Sequence, residues 1–382
     1  MKSFVGYLLI LSLLPCGAAM AEPDFTSADG VRLSCAGDLQ QLPAATPKAQ
    51  QAWVLCRDLA TLRRLWHLSS GHPEYMQDKF KAFTEKVLQG QYLSLLEEVR
   101  MTRKVLEKIE LRHRNDGLVL VPATWGSDLD GDGKLTPEEQ YLFAIPKRQS
   151  ASETEEPAEK TAAYYQENYA LDARFRIDQS DVQWLLGYHY FLEAGLELSL
   201  ALDEESDEAQ DRPLRVRDPA ALLRSHQLLL AAVKNSDRLR QMVAAETDDE
   251  DEWIAHAGQP SSVFPVPLNK GDFQVWQQLI EYVLPVLEGR HLLGGGQPKG
   301  FIESLFANMC PQGQGINVPL LFRQEQHATF IPSAQSEKLD ACQPVTSRQP
   351  SSALLRYLEE PLQRSRDPAV GLAMLRKLLW VN

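Results

Sequence analysis

Residues 177–200 read IDQSDVQWLLGYHYFLEAGLELSL and form the most apolar helical pattern that follows the N-terminal segment. Asp178 stands at the expected N-cap, because a carboxylate there can accept a hydrogen bond from an N–H of the first turn that has no partner within the helix. Apolar side chains then occur on nearly every face of the predicted helix, which is typical of a helix buried in the centre of a domain. The pattern therefore predicts a central buried helix.

Helical periodicity recurs along most of the chain, and it predicts a mainly α protein with several helices in an orthogonal or bundle-like arrangement. Asn235 and Ser236 separate two of the helical segments and predict an αα-hairpin. Residues 315–322 and 328–331 look extended and predict a small β element near the C terminus. The predicted helices cover residues 46–70, 75–90, 92–114, 138–143, 178–200, 222–233, 239–245, 273–287, 300–310, 351–365 and 367–380.

Residues 1–21 have the composition of a secretory signal peptide. Lys2 supplies the positive start, residues 5–15 form an apolar run, and residues 19–21 (AMA) match the small-x-small cleavage pattern. The apolar run is too short to span a bilayer, which requires roughly twenty residues in a helix. The mature chain is therefore expected to begin at Glu22.

Cys16 allows a lipoprotein alternative, because lipid-anchored bacterial proteins begin with a Cys after a short apolar run. Pro15 precedes it where a small Gly, Ala or Ser would be expected, so cleavage without lipidation is the favoured interpretation. No later apolar run is long enough to cross a membrane. The sequence thus predicts a periplasmic or secreted protein with no transmembrane segment after signal cleavage.

The cysteines that remain after removal of the signal peptide are even in number, and they are Cys35, Cys56, Cys310 and Cys342. In an exported chain this predicts two disulfides. Three pairings are possible, and Cys35–Cys56 with Cys310–Cys342 is the simplest because each bridge closes a modest loop. The spacing matches neither a zinc site nor a redox Cys-x-x-Cys motif, which argues against a catalytic thiol.

The formal net charge of −13 argues against a nucleic-acid partner, since a phosphate backbone is bound by a basic surface. Acidic residues concentrate at 153–159, 203–211 and 246–252. We interpret these runs as solvated linkers. The acidic balance fits a protein of a calcium-containing compartment.

The domain organisation is predicted from the breaks between the helical segments and from the acidic runs. It comprises an N-terminal helical region at 22–146, an acidic linker at 147–160, a central helical region at 161–258 and a C-terminal helical region at 259–382. A chain of this length can also bury one large core, so residues 22–382 as a single packed unit is the alternative.

One stretch has the pattern of a metal site, and it reads DLDGDGKLTPEE over residues 128–139. A hard cation such as Ca²⁺ binds about six to eight oxygens on a flexible ring. Asp128, Asp130 and Asp132 alternate along the chain, so three carboxylates can point into one small volume. Gly133 then allows the sharp turn that a side chain would obstruct.

The second half of this stretch supplies the remaining oxygens. Lys134 offers its backbone carbonyl, Thr136 offers a short polar side chain or holds a water, and Glu139 reaches back with both carboxylate oxygens. The stretch resembles an EF-hand calcium loop. The resemblance implies bound Ca²⁺, with the ligands Asp128, Asp130, Asp132, Lys134, Thr136 and Glu139.

The resemblance is limited to the loop and the helix after it. Residues 118–127 contain Pro122 and Gly126 and look extended, so they do not supply the entering helix of an EF-hand. No second loop is found, because residues 203–208 and 247–252 both lack the turn glycine. A calcium sensor would need a second ion and an exposed apolar groove. A single loop instead predicts a structural ion that holds a long connection in place.

The leading functional hypothesis is an exported, mainly helical calcium-binding protein that acts as a binding or envelope-associated factor, with a protein or envelope partner. No nucleophile elbow, zinc-binding His pair, Walker loop or dinucleotide fingerprint occurs in the sequence. Ca²⁺ would hold the connection 116–146 against the helical body. The chain also resembles secreted bacterial proteins that carry one calcium loop and a Trp-containing central helix, a resemblance that implies no activity.

The alternative hypothesis is an exported hydrolase in which calcium is structural. Its active groups would come from scattered residues such as His189, Tyr188, Asp181 and His291. A deep pocket that collects two or more of them would favour the enzyme, whereas a dry core around His189 would favour the binding protein. No motif surrounds His189, so we expect a hydrogen-bonded core histidine.

Overall fold

The structure of the protein is a computed structural model, which describes residues 22–70, 80–129, 131–147, 160–203, 214–249, 251–256, 258–265, 268–296, 304, 306, 309–331 and 339–364. Several predicted features lie outside these residues. They are the signal peptide, Asp130 of the calcium loop, residues 148–159 of the acidic linker, most of the predicted helix at 300–310 and the predicted helix at 367–380.

Within the described residues the chain is mainly helical, as the sequence predicted. The helices are α1 (Ala28–Ser34), α2 (Pro47–Ser70), α3 (Phe80–Leu106), α4 (Pro137–Gln140), α5 (Ala162–Asn168), α6 (Gln179–Ala201), α7 (Pro219–Ala245), α8 (Lys270–Leu287), α9 (Val318–Leu321) and α10 (Leu354–Arg364). No helix in this described part combines the length and the apolar character needed to cross a membrane.

Short strands connect the helices in small antiparallel pairs. They are β1 (Val119–Leu120), β2 (Ile145–Pro146), β3 (Tyr169–Ala170), β4 (Phe175–Arg176), β5 (Leu202–Asp203), β6 (Leu214–Val216), β7 (Gln314–Ile316), β8 (Thr329–Ile331) and β9 (Cys342–Pro344). β1 pairs with β4, β2 with β3, and β7 with β9, while β6 lies between β5 and β8.

Helix α6 lies at the centre of the helical body, as its sequence predicted. Asp178 is its N-cap, and its side chain accepts a hydrogen bond from the N–H of Asp181 at 2.8 Å. Asp181 returns a bond to the N–H of Asp178 at 3.2 Å, which completes a capping box. The helix packs most extensively against α7 and next against α3. Its nearly uniform apolar surface is explained by these two neighbours.

Two buried carboxylates of α6 connect it to both neighbouring helices. Glu193 is 3 % exposed and Glu197 is 1 % exposed. Arg100 of α3 bridges them, with Nε at 3.0 Å from Glu193 and Nη2 at 2.5 Å from Glu197. Arg103 of α3 also pairs with Glu193, and Arg224 of α7 pairs with Glu197 at 2.7 Å. The network fixes the register of three helices that meet at one place.

The largest hydrophobic core takes residues from all three predicted helical regions. It includes Phe25 near the start of the described chain, Trp125, Trp253 and Trp276 of α8. A smaller core lies between α7, α8, α9 and α10, around Leu222. Most of the short strands border these cores, while a small separate cluster of Ile316, Leu339 and Ala341 lies at the β7–β9 pair.

The predicted β element near the C terminus exists, but its strand pairing differs from the prediction. β7 pairs with β9, and β8 pairs with β6, so the two predicted extended segments do not pair with each other. Residues 318–321 are helical because Asn317 caps the N–H of Leu320 at 3.2 Å and Pro319 lies in the first turn, where Pro is tolerated.

The αα-hairpin predicted at Asn235 and Ser236 is wrong, because α7 runs through both residues without a break. Their polar side chains bond to neighbouring helices and not to the local backbone. Asn235 Nδ2 donates to the carbonyl of Gln183 in α6 at 2.7 Å. Ser236 Oγ accepts from Nε1 of Trp276 in α8 at 2.8 Å. Tertiary partners thus allow two turn-favouring residues to remain helical.

The boundaries predicted around α3 also differ from the structure. One helix continues through Gly90, where the sequence predicted two, and it ends at Leu106. Glycine inside a helix costs only about 0.5–1 kcal/mol relative to Ala, so packing of a long helix can override it. Beyond the helix, the N–H of Leu111 bonds to Oε1 of Gln179 at 2.8 Å, which holds the chain in an extended path beside α6.

The two disulfides have the local pairing that the sequence favoured. Cys35–Cys56 joins the end of α1 to α2, and Cys310–Cys342 joins the chain before β7 to β9. A bridge that closes such a loop stabilises a protein by about 2–4 kcal/mol, chiefly through the unfolded state. Each bridge therefore cross-links two segments that lie near one another in the sequence, 21 residues apart in the first and 32 in the second.

Candidate functional site

The first half of the predicted calcium loop forms tight turns around Asp128. Gly131 and Gly133 have φ values of 76° and 80°, a left-handed conformation that glycine adopts without strain. Their N–H groups donate to the two oxygens of Asp128, at 2.7 Å and 3.0 Å respectively. Each carboxylate oxygen of Asp128 keeps a second lone pair that is available to a cation.

The second half returns the chain to the start of the loop. Thr136 caps the short helix α4, and Glu139 closes a capping box with it, its Oε2 accepting from the N–H of Thr136 at 2.9 Å. Oε1 of Glu139 accepts from the N–H of Leu129 at 2.7 Å. Glu139 is only 6 % exposed. The last acidic side chain of the loop is thus held beside the first ligand position.

The fit of this loop to calcium is good in residue type and backbone. Among the described residues, however, Asp128, Asp132 and Glu139 do not form a group whose ligand atoms all lie within 4.8 Å of one another. Asp132 is exposed, and its Oδ1 accepts from the N–H of Lys134 at 2.7 Å. Binding of calcium would therefore require these three side chains to come closer together.

As the sequence predicted, the chain that enters the loop is not an α-helix. It consists of β1 and a 3₁₀ turn at Pro122–Thr124. Gly126 passes so close to α4 that a Cβ there would lie 3.1 Å from the carbonyl oxygen of Gln140. The loop thus packs closely against its own exit helix, and a side chain at position 126 would require the neighbouring backbone to give by a few tenths of an ångström.

An apolar cavity of about 350 Å³ lies beside the loop. Pro122 and Trp125, just before the loop, line it, and so do residues 142–146, just after the loop. Trp184 of α6 and Trp253 also line it. Cavities of this size that are lined mainly by apolar and aromatic side chains are typical small-molecule sites.

Few polar groups reach this cavity. Gln51 lines it, but its amide bonds to the carbonyl of Asp116 at 2.8 Å and to the N–H of Leu118 at 2.9 Å. Asp181 also lines it and is 6 % exposed. The cavity therefore offers an apolar surface with one carboxyl group at its edge.

A group of carboxylates that the sequence did not predict as a site adjoins Asp181. Asp178, Glu246 and Glu252 place ligand atoms within 4.8 Å of one another. Glu252 is 7 % exposed, so the interpretation of residues 246–252 as a solvated linker is wrong at this residue. The chain folds back here, because the N–H of Val263 donates to the carbonyl of Glu252 at 3.2 Å.

The electrostatics of this carboxylate cluster (Asp178, Asp181, Glu246 and Glu252) reflect its crowding. Burial, reinforced by the neighbouring Asp178 carboxylate, raises the pKa of Glu246 to about 8. The same two causes raise the pKa of Glu252 to about 8 and that of Asp181 well above its usual range. Only long-range folding brings the four together, and no local spacing in the sequence signals it.

No model of a protein family, no curated protein and no solved structure matches this chain. Two features of the described structure are candidate sites, the acidic loop at 128–139 with its adjoining cavity and the carboxylate cluster at the start of α6.

The residues named for a hydrolase are not gathered in the apolar cavity. Of the four, only Asp181 lines the apolar cavity, while His291 lines a separate surface depression with Gly289 and Pro350. His189 is 3 % exposed, with Nδ1 at 2.9 Å from the carbonyl of Leu185. The expectation of a hydrogen-bonded core histidine is confirmed.

The stability that His189 contributes is expected to depend on pH. Burial acts to lower the pKa of His189, but the charge and hydrogen bond of Asp58, at 3.2 Å from Nε2, outweigh it and raise that pKa above its usual value. The stabilisation from this pair is therefore complete below about pH 6.5 and is lost as pH rises through the folded-state pKa. Arg103 acts in the opposite direction on the same ring.

We expect the loss of unfolding free energy in His189→Gln to be larger near about pH 6 than near about pH 8.5, because only the protonated ring gains from Asp58. Urea unfolding of the wild type and the variant at both pH values measures this difference. Asp58→Asn is the matched control: it removes the carboxylate that favours the protonated ring, so the larger loss near about pH 6 should disappear. A loss of equal size at both pH values would contradict the assignment.

Proposed function

We propose that the protein is an exported calcium-binding protein of mainly helical fold that takes up a small apolar ligand in the cavity beside residues 128–139. It acts as a binding or envelope-associated factor, and the ion keeps one wall of the cavity in place. The two disulfides support export, since such bridges persist in oxidising compartments.

The observation that carries this proposal is the position of the loop relative to the cavity. Pro122 and Trp125 on one side of the loop and residues 142–146 on the other line the same space. A cation bound between Asp128 and Glu139 would hold these two segments at a fixed separation. The shape of the apolar wall would then depend on calcium.

The orientation of the carboxylates supports calcium binding at the loop. Backbone N–H groups hold Asp128 from one end, and Glu139 is held from the other at Leu129 and Thr136. Two of the predicted ligands are thus preorganised, which reduces the ordering that binding requires. Six predicted ligands, all offering oxygen, suit calcium better than a transition metal.

Asp128→Ala and Glu139→Gln are each expected to lower the melting temperature in calcium to the level of the wild type in chelator. An ion that binds only the folded state adds about 2.7 kcal/mol when its free concentration is about a hundredfold above Kd. Thermal unfolding in calcium and in chelator measures the effect.

Glu138 is the exposed neighbour of Glu139, so Glu138→Gln is the matched control. This variant should melt like the wild type. Glu139 also closes the capping box of α4, so its variant is compared with the wild type under both conditions. Equal melting of the wild type with and without chelator would reject calcium at the loop.

Ligand uptake is tested with N-phenyl-1-naphthylamine, an uncharged apolar dye. Ala144 lines the cavity and is buried, so Ala144→Phe should fill part of the space and weaken dye binding about tenfold or more, which is about 1.4 kcal/mol. Leu192→Phe on the exposed face of α6 should bind like the wild type. Chelator should weaken binding to the wild type as well. Unchanged affinity in Ala144→Phe would exclude this cavity as the site.

A further inference from the structure

Aromatic side chains make up a large part of the lining of the apolar cavity beside residues 128–139. In one group, Trp253 stacks on Phe175 at a centroid distance of 4.7 Å and forms a T-shaped pair with Trp184 at 5.7 Å. In the other, Trp125 and Phe143 lie 5.9 Å apart. Aromatic rings have electron-rich faces, which attract a cation that lies within about 6 Å of the ring centroid. The lining therefore suits a positively charged group better than its apolar character alone suggests.

The charge of the lining has one sign. Among the described residues that line the cavity, Asp181 is the one with an acidic side chain, and none is Lys, Arg or His. Gln51 also lines it, but its amide is already bonded to the backbone at Asp116 and Leu118. An anionic ligand would therefore meet a carboxyl group and no positive charge, whereas a cation would meet a group of opposite sign.

Asp181 connects the cavity with the carboxylate cluster. The charges that act most strongly on Asp181 are those of Asp178, Glu246 and Glu252, all of which are acidic. Asp181 itself is 6 % exposed, and its Oδ1 has no hydrogen-bond partner in the described structure. Charges inside a protein act over several ångströms, because the surroundings screen them less than water does. The cluster therefore favours a positive charge in the cavity without any need for direct contact.

We propose that the ligand of this cavity is an organic cation, with an apolar body and one ammonium group that is attracted by the aromatic rings and by the negative charge around Asp181. The inference rests on the proposed function, because it assigns a chemical class to the ligand of the same cavity. A quaternary ammonium group fits best, since it has no N–H donor and needs no acceptor from a lining that offers few. Aromatic sites recognise such groups through their ring faces.

Binding of such a cation is coupled to a proton on Asp181. Burial and the Asp178 carboxylate raise the pKa of Asp181 well above its usual range, so the protein alone favours the neutral acid. A nearby positive charge favours the ionised form, so the bound cation displaces the proton and its affinity rises with pH. Glu246 and Glu252, whose pKa values are raised to about 8, ionise beside Asp181 and act in the same direction.

The test compares three ligands of similar shape and different charge, with the full mature chain in calcium. Benzyltrimethylammonium is the cation, neopentylbenzene is its neutral isostere with carbon in place of nitrogen, and benzylsulfonate is the anion. Displacement of N-phenyl-1-naphthylamine at about pH 8.5 measures their affinities, because the carboxyl groups are then more fully ionised. The cation is expected to bind about tenfold or more tightly than neopentylbenzene, which is about 1.4 kcal/mol, and the anion most weakly.

Two variants locate the origin of this preference. Asp181→Asn removes the charge and keeps an oxygen that can accept from the N–H of Asp178, so the cap of α6 is retained and the tenfold preference should disappear. Trp253→Leu should reduce the preference several-fold, and it loses no hydrogen bond because Nε1 of Trp253 has no partner in the described structure. Asp340→Asn, at an exposed aspartate before β9 that does not line the cavity, is the matched control. Circular dichroism verifies that all three variants are folded.

The pH profile is a second measurement, which a purely structural role of Asp181 would not affect. Between about pH 6 and about pH 8.5, the affinity of the wild type for benzyltrimethylammonium should rise, whereas its affinity for neopentylbenzene should stay constant. In Asp181→Asn the rise should be smaller, because only the ionisation of Glu246 and Glu252 then contributes.

The outcomes separate this inference from the proposed function. Equal affinities for the cation and neopentylbenzene, with dye binding that Ala144→Phe weakens, would overturn the cationic ligand and leave the cavity as a binding site. A preference that Asp181→Asn does not change would also overturn the inference. If the dye does not bind, calorimetric titration with benzyltrimethylammonium decides. Heat that is lost in Asp181→Asn supports the cationic ligand, and the absence of heat rejects it together with the cavity.

Discussion

Replacing Trp276 by Ala is expected to lower the free energy of unfolding by about 4 kcal/mol, near the middle of the range for buried Trp. Trp276 lies on α8, is 1 % exposed and belongs to the largest core. Its Nε1 donates to Oγ of Ser236 in α7 at 2.8 Å. The substitution leaves a large cavity and also removes one hydrogen bond to the buried hydroxyl group of Ser236.

Two further variants divide this effect between packing and hydrogen bonding. Trp276→Phe retains most of the apolar volume and loses the Nε1 donor, and Ser236→Ala removes the acceptor. Each is expected to cost about 1–2 kcal/mol, and the double variant less than their sum because both remove the same bond. Urea unfolding in calcium measures all of them. A cost below about 1 kcal/mol for Trp276→Ala would contradict its place in the core.

Replacing Arg100 by Met is expected to lower the free energy of unfolding by about 3 kcal/mol, because it leaves two buried carboxylates without one of their ion-pair partners. Arg100 bridges Glu193 and Glu197, which are almost fully buried in α6. Met preserves the aliphatic stem of the side chain, so the loss reports the charge and its hydrogen bonds. Each carboxylate would retain one arginine, Arg103 or Arg224, which limits the effect.

Arg112→Met is the matched control for this substitution. Arg112 pairs with Glu110 at 2.9 Å, but both side chains are more than two-thirds exposed, at 77 % and 72 %. Exposed ion pairs contribute about 0–1 kcal/mol, so this variant should unfold almost like the wild type. Equal costs for the two substitutions would show that the α3–α6–α7 network adds no more than a surface pair.

The Trp276–Ser236 hydrogen bond and the ion pairs of Arg100 help to position the candidate sites, although neither contact is part of a site. α6 carries Asp181 at its first turn and Trp184 in the cavity wall, and α3 and α7 hold this helix in place. The segment with Glu246 follows directly after α7. A shift of α7 against α6 would therefore change the distances within the carboxylate cluster as well as the packing.

Local sequence patterns were sufficient for the features that depend on neighbouring residues. The apolar run at 177–200 predicted the central helix, and Asp178 predicted its N-cap. The even cysteine count predicted two bridges, and the simplest pairing is the one observed. Each of these features is determined by periodicity, capping chemistry or loop length, all of which are written within a short stretch of chain.

Packing decided the features that depend on remote partners. α7 continues through Asn235 and Ser236 because α6 and α8 provide hydrogen-bond partners for their side chains. β8 pairs with β6 and not with β7. The carboxylate cluster joins Asp178 to Glu246 and Glu252 across dozens of residues. No periodicity or spacing encodes such contacts, because burial and hydrogen-bond partners across the core exist only once the helices have packed.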